Sequence, residues 1–184
     1  MRKIWGLLSL TTLILLLTSC SIGDSNMRKM FFARNDKQIA NERFEALIDA
    51  IQTHNSDAVK AVFSNNVLRE VENIDDAIQE LFGYFQGNLL SYKAWAGPDV
   101  SAKKDNGNYW KSYDCTYDFE TSKDKYRLAM EIITVDTTDA DNIGIRSLYI
   151  IRFEDDTRTD FAYRGDRKHT PGINIGKVQE NAEF

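Results

Sequence analysis

The 184-residue chain is poor in cysteine, histidine and proline, with two residues of each type. Two cysteines are too few for the cystine framework of a small secreted scaffold, so the core must come from side-chain packing. Neither His54 nor His169 stands at ligand spacing from other metal-binding residue types, which argues against a zinc site. A glycine-rich phosphate loop and a serine nucleophile elbow are also absent from the sequence. We therefore expect no cofactor and no metal.

Basic residues are also fewer than acidic ones in this chain. The chain carries 23 basic and 28 acidic side chains, for a net charge of −5. Removing residues 1–19 takes away Arg2 and Lys3 and leaves 21 basic against 28 acidic side chains. Phosphate contact needs a basic surface, so this balance predicts no nucleic-acid partner. It also predicts that the domain does not lie flat on an anionic membrane.

The N-terminus begins with a short positive region, Arg2 and Lys3, followed by an apolar run from Ile4 to Leu17. As a helix, this run spans about 21 Å, which is short of the ~30 Å hydrocarbon core of a bilayer. A charged start and a short apolar run are typical of a secretory signal rather than of a transmembrane anchor.

Leu17-Thr18-Ser19-Cys20 then resembles the bacterial lipobox. The resemblance implies that residues 1–19 are a cleaved signal peptide and that the Cys20 thiol carries a diacylglyceryl lipid. Two or more acyl chains anchor a protein stably, so we expect lipid anchoring at the extracytoplasmic face of the cell membrane. The alternative is an uncleaved anchor that ends in a buried cysteine. With Cys20 lipidated, Cys115 is the only thiol left, and its alternation with aromatic residues indicates that it is buried and inert.

The pattern after Cys20 predicts a tether over residues 20–36 and an α+β domain over residues 37–154. Extended, the tether could reach up to ~50 Å. Apolar residues at helical spacing predict a helix over 37–53, a short second helix after the break at His54, and a third helix after Asn73. The apolar positions of these three helices are Phe44, Leu47, Ile48 and Ile51, then Val59, Val62 and Phe63, then Ile74, Ile78, Leu81, Phe82 and Phe85.

After Gly87 the apolar period changes from helical to two, which predicts strands. The predicted strands are Leu89–Ala96, Trp110–Glu120, Tyr126–Val135 and Ile143–Phe153, with a hairpin turn at Asn106-Gly107. The domain is thus predicted as three N-terminal helices packed on a curved antiparallel sheet of about four strands. Residues 155–184 are expected to form an irregular C-terminal segment.

This order of elements, from Lys37 to Glu154, resembles the nuclear-transport-factor-2-like superfamily, also called SnoaL-like or cystatin-like. The lipobox, the domain and the Pro171-Gly172-Ile173 tail together resemble an uncharacterised family of small lipoproteins from Gram-positive bacteria. The resemblance implies a cone-shaped fold with a pocket between the concave sheet face and the helices. Such cones host isomerases, dehydratases, ligand sensors and dimerising modules, so the fold does not select a function.

Aromatic side chains are the candidates for a ligand pocket in that cone. The alternation places Tyr117 inward together with Tyr113, Cys115 and Phe119, and we expect Tyr149 and Ile151 to face the same side. Trp95, Tyr117 and Tyr149 are the predicted ligand contacts. No inward position carries a general base, so no catalytic residue is predicted. A register shift of one residue would reverse this assignment of faces.

Two other groups of residues have a possible function. Asp136, Asp139 and Asp141 cluster in one turn, where carboxylates can gather calcium, but the spacing does not match a calcium loop and a solvated turn is favoured. Arg164-Gly165-Asp166 is the tripeptide that some adhesion receptors bind, although a generic polar loop explains it equally.

These observations lead to one main hypothesis and two alternatives. The main hypothesis is a non-enzymatic module of the cell envelope that binds a small molecule or an envelope protein. The first alternative is a pocket enzyme of the isomerase or hydrolase type. A buried carboxylate or histidine facing a cavity would favour the enzyme, and a cavity filled by tyrosine and phenylalanine would favour the binding module. The second alternative is a homodimer through the open sheet face, for which exposed Leu148 and Ile150 would be the sign.

Overall fold

A computed structural model of the protein describes residues 20–156 and 168–176, with side chains from residue 25 onward. Its helices are α1 (Cys20–Phe32), α2 (Asp36–Gln52), α3 (Ser56–Val62), α4 (Asn65–Glu70) and α5 (Ile74–Tyr84). Its strands are β1 (Leu89–Asp105), β2 (Asn108–Thr121), β3 (Lys125–Asp136), β4 (Gly144–Arg152) and β5 (Gly172–Ile175), with a 3-10 turn at Ala140–Asn142. No helix in these described ranges is long and apolar enough to cross a membrane.

The strands form one sheet in the order β1-β2-β3-β4-β5. β1 to β4 are antiparallel neighbours, and β5 runs parallel to β4. The α+β class is confirmed, but the sheet has five strands rather than four. The additional strand, β5, comes from the segment expected to be irregular. Four residues of mixed polarity give no periodic signal, and pairing with the buried β4 is what makes them a strand.

Five helices, rather than three, precede the sheet in the described chain. The three predicted helices are α2, α3 and α5. The helix α4 is one short turn and a half whose start is capped by the Ser64 hydroxyl, which accepts from the Val67 N–H at 3.2 Å. The helix α1 lies in the predicted tether and packs through Phe31 on Tyr109, with ring centroids 4.9 Å apart. Both were missed because their apolar residues are too few to show a period.

A close backbone approach joins the helical layer to β4. Phe63 forms a parallel bridge with Ile145, and the Ser64 N–H donates to the Ile145 carbonyl at 3.1 Å. Gly144 has a φ of +135°, and a Cβ there would lie 2.5 Å from the Ser64 nitrogen. Only glycine lets the two segments come this close.

The helices cover one face of the sheet, which we call the inner face; the opposite one is the outer face. Phe44 of α2 is fully buried and stacks on Tyr117 of β2, with ring centroids 4.3 Å apart. A second stack joins Phe85 to Tyr126 at 5.5 Å, and Phe119 packs against both rings. Aromatic rings therefore fill the space between the helices and the sheet.

The orientation of β4 is the opposite of the expected one. Leu148 and Ile150 are fully buried in the main core under the helices, whereas Tyr149 and Ile151 form a small cluster with Ala129 on the outer face. Because β4 is apolar at consecutive positions, its period does not tell which set faces the helices. The exposed strip of Leu148 and Ile150 that would indicate a dimer is therefore not present.

Replacing Phe44 by alanine is expected to lower the free energy of unfolding by about 3–5 kcal/mol, because it leaves a cavity beside Tyr117. Leu90→Ala is the matched control: the Leu90 side chain is 65 % exposed, and its removal is expected to cost less than about 0.5 kcal/mol. Urea unfolding followed by circular dichroism measures both. Equal effects of the two substitutions would contradict the assigned core.

Candidate functional site

In the described part of the chain, buried side chains fill the inner face where a cone would hold a ligand. The Tyr117 hydroxyl donates to Asn41 Oδ1 at 2.9 Å, and the Tyr113 hydroxyl donates to Asp36 Oδ1 at 2.7 Å, so both rings are tied to α2. Burial raises the pKa of each phenol, which keeps both neutral at physiological pH. These side chains are committed to the core.

Cys115 is the buried cysteine of β2. Burial raises the pKa of its thiol to about 12, with a smaller contribution from the charges of Asp114 and Asp99. A thiol that stays protonated at neutral pH is a poor nucleophile and a poor metal ligand. Cys115 therefore fills space rather than performing chemistry.

The outer face carries a small cavity, here called the outer cavity, of about 40 Å³. This volume holds one or a few water molecules or a small polar group. It opens between β1 and the segment that leads into β5. The polar residues among those that line it are Asp114, Thr116, Glu131, Ser147, Tyr149 and His169.

A carboxylate and a histidine face each other at this cavity. His169 Nδ1 lies 3.3 Å from Glu131 Oε2 and 3.8 Å from Asp114 Oδ1, and Arg146 Nη1 lies 3.5 Å from Glu131 Oε2. The Glu131 side chain is 11 % exposed. Among the described residues none gives Glu131 Oε2 a hydrogen bond of good geometry, although it lies at ion-pair distance from two cations. A buried carboxylate oxygen of this kind favours an additional proton donor.

The segment 168–176 holds His169 over the cavity. The Thr170 N–H donates to the Tyr149 hydroxyl at 2.7 Å. The Asn174 side-chain amide donates to the Leu148 carbonyl at 3.2 Å and to the Thr170 carbonyl at 3.0 Å. Sequence reasoning missed the pairing of Glu131 with His169, because the pairing of β5 with β4 is what brings them together.

A second feature, which we call the arginine stack, lies further along the outer face. The Arg127 guanidinium lies 4.9 Å from the Trp95 ring centroid and 5.0 Å from that of Phe153. Asp118 fixes it with two hydrogen bonds, at 2.6 Å to Nε and 3.0 Å to Nη2. The residues Trp95 and Phe153 remain 44 % and 43 % exposed. Tryptophan and arginine are the residues most often found at the energetic centre of protein interfaces.

The three predicted pocket residues are thus divided between two faces. Tyr117 lies in the inner core, while Tyr149 lines the outer cavity and Trp95 belongs to the arginine stack. Trp95 reaches the outer face at a point where the β1–β2 register shifts between Ala94 and Ala96. Such irregularities re-aim side chains and cannot be seen in a period-two pattern.

The aspartate-rich turn has a structural role. Asp136 is buried and accepts from the Thr138 N–H and from Asn142 Nδ2, both at 2.9 Å. Asp139 accepts a hydrogen bond from the Asn66 amide of α4 at 2.8 Å. Asp141 accepts from Asn65 at 3.0 Å and from Arg69 at 2.8 Å, both also in α4. The prediction that this turn is solvated is therefore wrong for the Asp136 side chain, which is buried.

Two further expectations concern histidine and the adhesion tripeptide. His54 lies in the break between α2 and α3, where its ring is 5.0 Å from that of Phe82. Within the described ranges no group of three histidine, cysteine, aspartate or glutamate residues is arranged to hold a metal ion. Arg164-Gly165-Asp166 lies outside the described residues.

The buried thiol predicts a loss of stability in alkali. The Cys115 pKa is about 12 in the fold against an ordinary value of 9.0, so its contribution is complete below pH 9.0 and is lost as the pH rises toward 12. The urea midpoint should fall between about pH 8 and pH 11, and Cys115→Ala should fall less over the same interval. The fall that remains in Cys115→Ala is expected from the buried tyrosines. An equal fall in both proteins would contradict the role given to the thiol.

Comparison with known protein families assigns most of the domain to a family. The profile of a domain of unknown function, DUF5104, matches residues 46–153, which run from α2 to the residue after β4. No curated protein matches the chain at a significant level. The family match covers more than half of the 184 residues and includes most of the inner core, although not Phe44, together with Glu131 and the arginine stack. The chain belongs to the DUF5104 family.

Proposed function

We propose that this protein is a lipoprotein of the cell envelope, anchored by a lipid on Cys20, whose domain is a non-enzymatic binding module. The charged start, the short apolar run and Leu17-Thr18-Ser19-Cys20 support the anchor. Helices followed by a mainly antiparallel sheet support a nuclear-transport-factor-2-like cone. The lipobox and the Pro171-Gly172-Ile173 tail support a Gram-positive source.

The helix α1 makes the proposed tether short. Its 13 residues begin at Cys20 and correspond to about 20 Å of helix, against the ~50 Å of an extended chain. A lipid on Cys20 would therefore keep the domain close to the bilayer surface. The tether and the fold are then one continuous unit.

One observation carries the proposed binding role: the inner space is filled by stacked aromatic rings, whereas the outer face combines a cavity with an exposed aromatic surface. Trp95 of the arginine stack and Ala96 of the cavity wall are consecutive in β1, so the two features adjoin. Carboxylates at the cavity favour an ammonium or another proton-donating group. Trp95 and Phe153 favour an apolar or planar part of the same ligand.

A pocket enzyme is the second candidate, favoured by the contact between His169 and Glu131. A histidine held by a carboxylate beside a cavity is a suitable general acid or base. Cys115, with its raised pKa, does not supply a nucleophile. An enzyme of the isomerase or hydrolase type would therefore act here by moving a proton and not through a cysteine nucleophile.

The anchor predicts the location of the protein. When the full gene is expressed in a Gram-positive host, the protein should be recovered in the membrane fraction, and mass spectrometry should find Cys20 diacylated at the mature N-terminus. Cys20→Ser should abolish both the modification and cleavage next to it. Cys115→Ser is the matched control and should behave like the unchanged protein. An unmodified Cys20 in the native protein would refute the anchor.

The outer face predicts a ligand that depends on Glu131. Thermal-shift screening with amine-bearing metabolites and cell-wall fragments should give a compound that raises the melting temperature. Glu131→Gln should weaken its binding at least about tenfold, because a charged hydrogen bond is lost. Trp95→Ala should weaken it as well, and Glu120→Gln, an exposed carboxylate of β2, should have no effect. If the protein converts the compound into a product, and His169→Gln abolishes this conversion, the protein is an enzyme and not a binding module.

A further inference from the structure

The charge of this acidic protein is unevenly distributed. One end of the molecule, here called the basic end, consists of residues 25–37, from α1 to the start of α2, and residues 101–111, at the β1–β2 turn. It holds seven of the 23 basic side chains and only two of the 28 acidic ones. The seven basic residues are Arg28, Lys29, Arg34, Lys37, Lys103, Lys104 and Lys111.

Side-chain packing joins the two segments into one surface. The rings of Phe31 and Phe32 lie 4.9 Å and 6.0 Å from that of Tyr109. Lys111 is buried, donates to the Ala33 carbonyl at 3.1 Å and forms an ion pair with Asp36. One of the two acidic groups of the basic end is thereby neutralised, and α1 is fixed beside the β1–β2 turn.

The exposed groups of this surface combine positive charge with apolar area. Phe32 and Met30 are 57 % and 38 % exposed. Lys103 Nζ lies 5.2 Å from the Trp110 ring centroid, and Lys104 Nζ lies 5.7 Å from that of Tyr109. Tryptophan and tyrosine are enriched at the membrane–water interface, and lysine reaches it through its long aliphatic side chain.

The aspartate turn lies at the same end of the sheet, since Trp110 pairs with Asp136. Its carboxylates reduce the positive charge of the basic end without cancelling it. Arg69 pairs with Asp141, so Asp136 and Asp139 add two negative charges to an end that holds seven basic and two acidic side chains.

We propose that the basic end docks on the surface of a bilayer that contains anionic phospholipids. The inference rests on the proposed anchor, because α1 begins at Cys20 and would bring this end, rather than another, to the membrane. The net charge of −5 predicted the opposite, but electrostatic attraction acts on the local surface within a Debye length of about 10 Å. The exposed Phe32 and Met30 favour a bilayer over a soluble polyanion, since only the bilayer offers an apolar layer beneath its charges.

Tryptophan fluorescence can measure the docking directly. The protein is purified from membranes with its Cys20 modification and reconstituted in vesicles of phosphatidylcholine that contain brominated lipid, with or without about 30 % phosphatidylglycerol. Two proteins, each with Trp5→Leu, are compared: Trp95→Phe reports on Trp110, and Trp110→Phe reports on Trp95. Trp95 lies about 20 Å further along the strands, which makes it the internal control.

We expect the bromine atoms to quench Trp110 in the phosphatidylglycerol vesicles and to leave Trp95 unquenched. Lys103→Gln with Lys104→Gln should reduce the ratio of docked to undocked protein roughly 30-fold. The matched control is Lys123→Gln with Lys125→Gln, two exposed lysines at the opposite end of the sheet, and it should leave the quenching unchanged. A raised salt concentration should reduce the quenching in the unchanged protein, which tests the charge without any substitution.

Three results would overturn the proposal: an unquenched Trp110, equal quenching of both tryptophans, or binding to soluble inorganic polyphosphate with no quenching on vesicles. Mass spectrometry of the same sample separates this failure from a failure of the anchor. If Cys20 carries no lipid, the anchor is refuted. Docking is then read from the quenching of Trp110 when the protein is added to preformed vesicles, and its absence there refutes docking as well.

Discussion

The stack of Phe44 on Tyr117 is the contact on which the rest of this structure depends. It joins the long helix α2 to the middle of β2, and the neighbouring rings of Phe85, Phe119 and Tyr126 extend it along the inner face. The tyrosine hydroxyls reach polar atoms of the helices, so they can be buried without loss of hydrogen bonds. The space between the helices and the sheet is filled by these rings. A binding module of the proposed kind would then have to use another surface.

The outer face could serve the proposed binding role because the segment that leads into β5 contacts it through His169 and Thr170. The C-terminal segment pairs β5 with β4, and the Thr170 N–H binds the Tyr149 hydroxyl. Tyr149 and Ile151 are buried on this face, and a small cavity lies beside Glu131. The arginine stack adjoins this cavity. A binding site built in this way combines a charged recess with an open aromatic surface, which suits a ligand or partner with one charged and one apolar part.

The uneven distribution of charge suggests how the proposed lipoprotein would be oriented on the membrane. The basic end includes the C-terminal part of α1, the helix that begins at the proposed lipid site Cys20, and the outer cavity lies further along the same strands. A domain docked through the basic end would present the cavity and the arginine stack to the space outside the membrane. Tether, docking surface and binding face would then follow one another along a single axis. The net charge could not indicate this, because it averages over surfaces of opposite sign.

The amino-acid sequence by itself determined the elements with a strong period and the turn between them. The apolar spacing of α2 and α5, the alternation in β2 and the Asn106-Gly107 hairpin, whose residues have φ of +47° and +86°, all follow from local chemistry. Only the tertiary structure decided which face of β4 meets the helices. That strand is apolar on both sides, so its sequence pattern does not distinguish the inner from the outer face. The tertiary structure also decided that β5 is a strand and that His169 meets Glu131, because both depend on pairing between segments far apart in the chain. Local patterns set the elements, and long-range packing set the site.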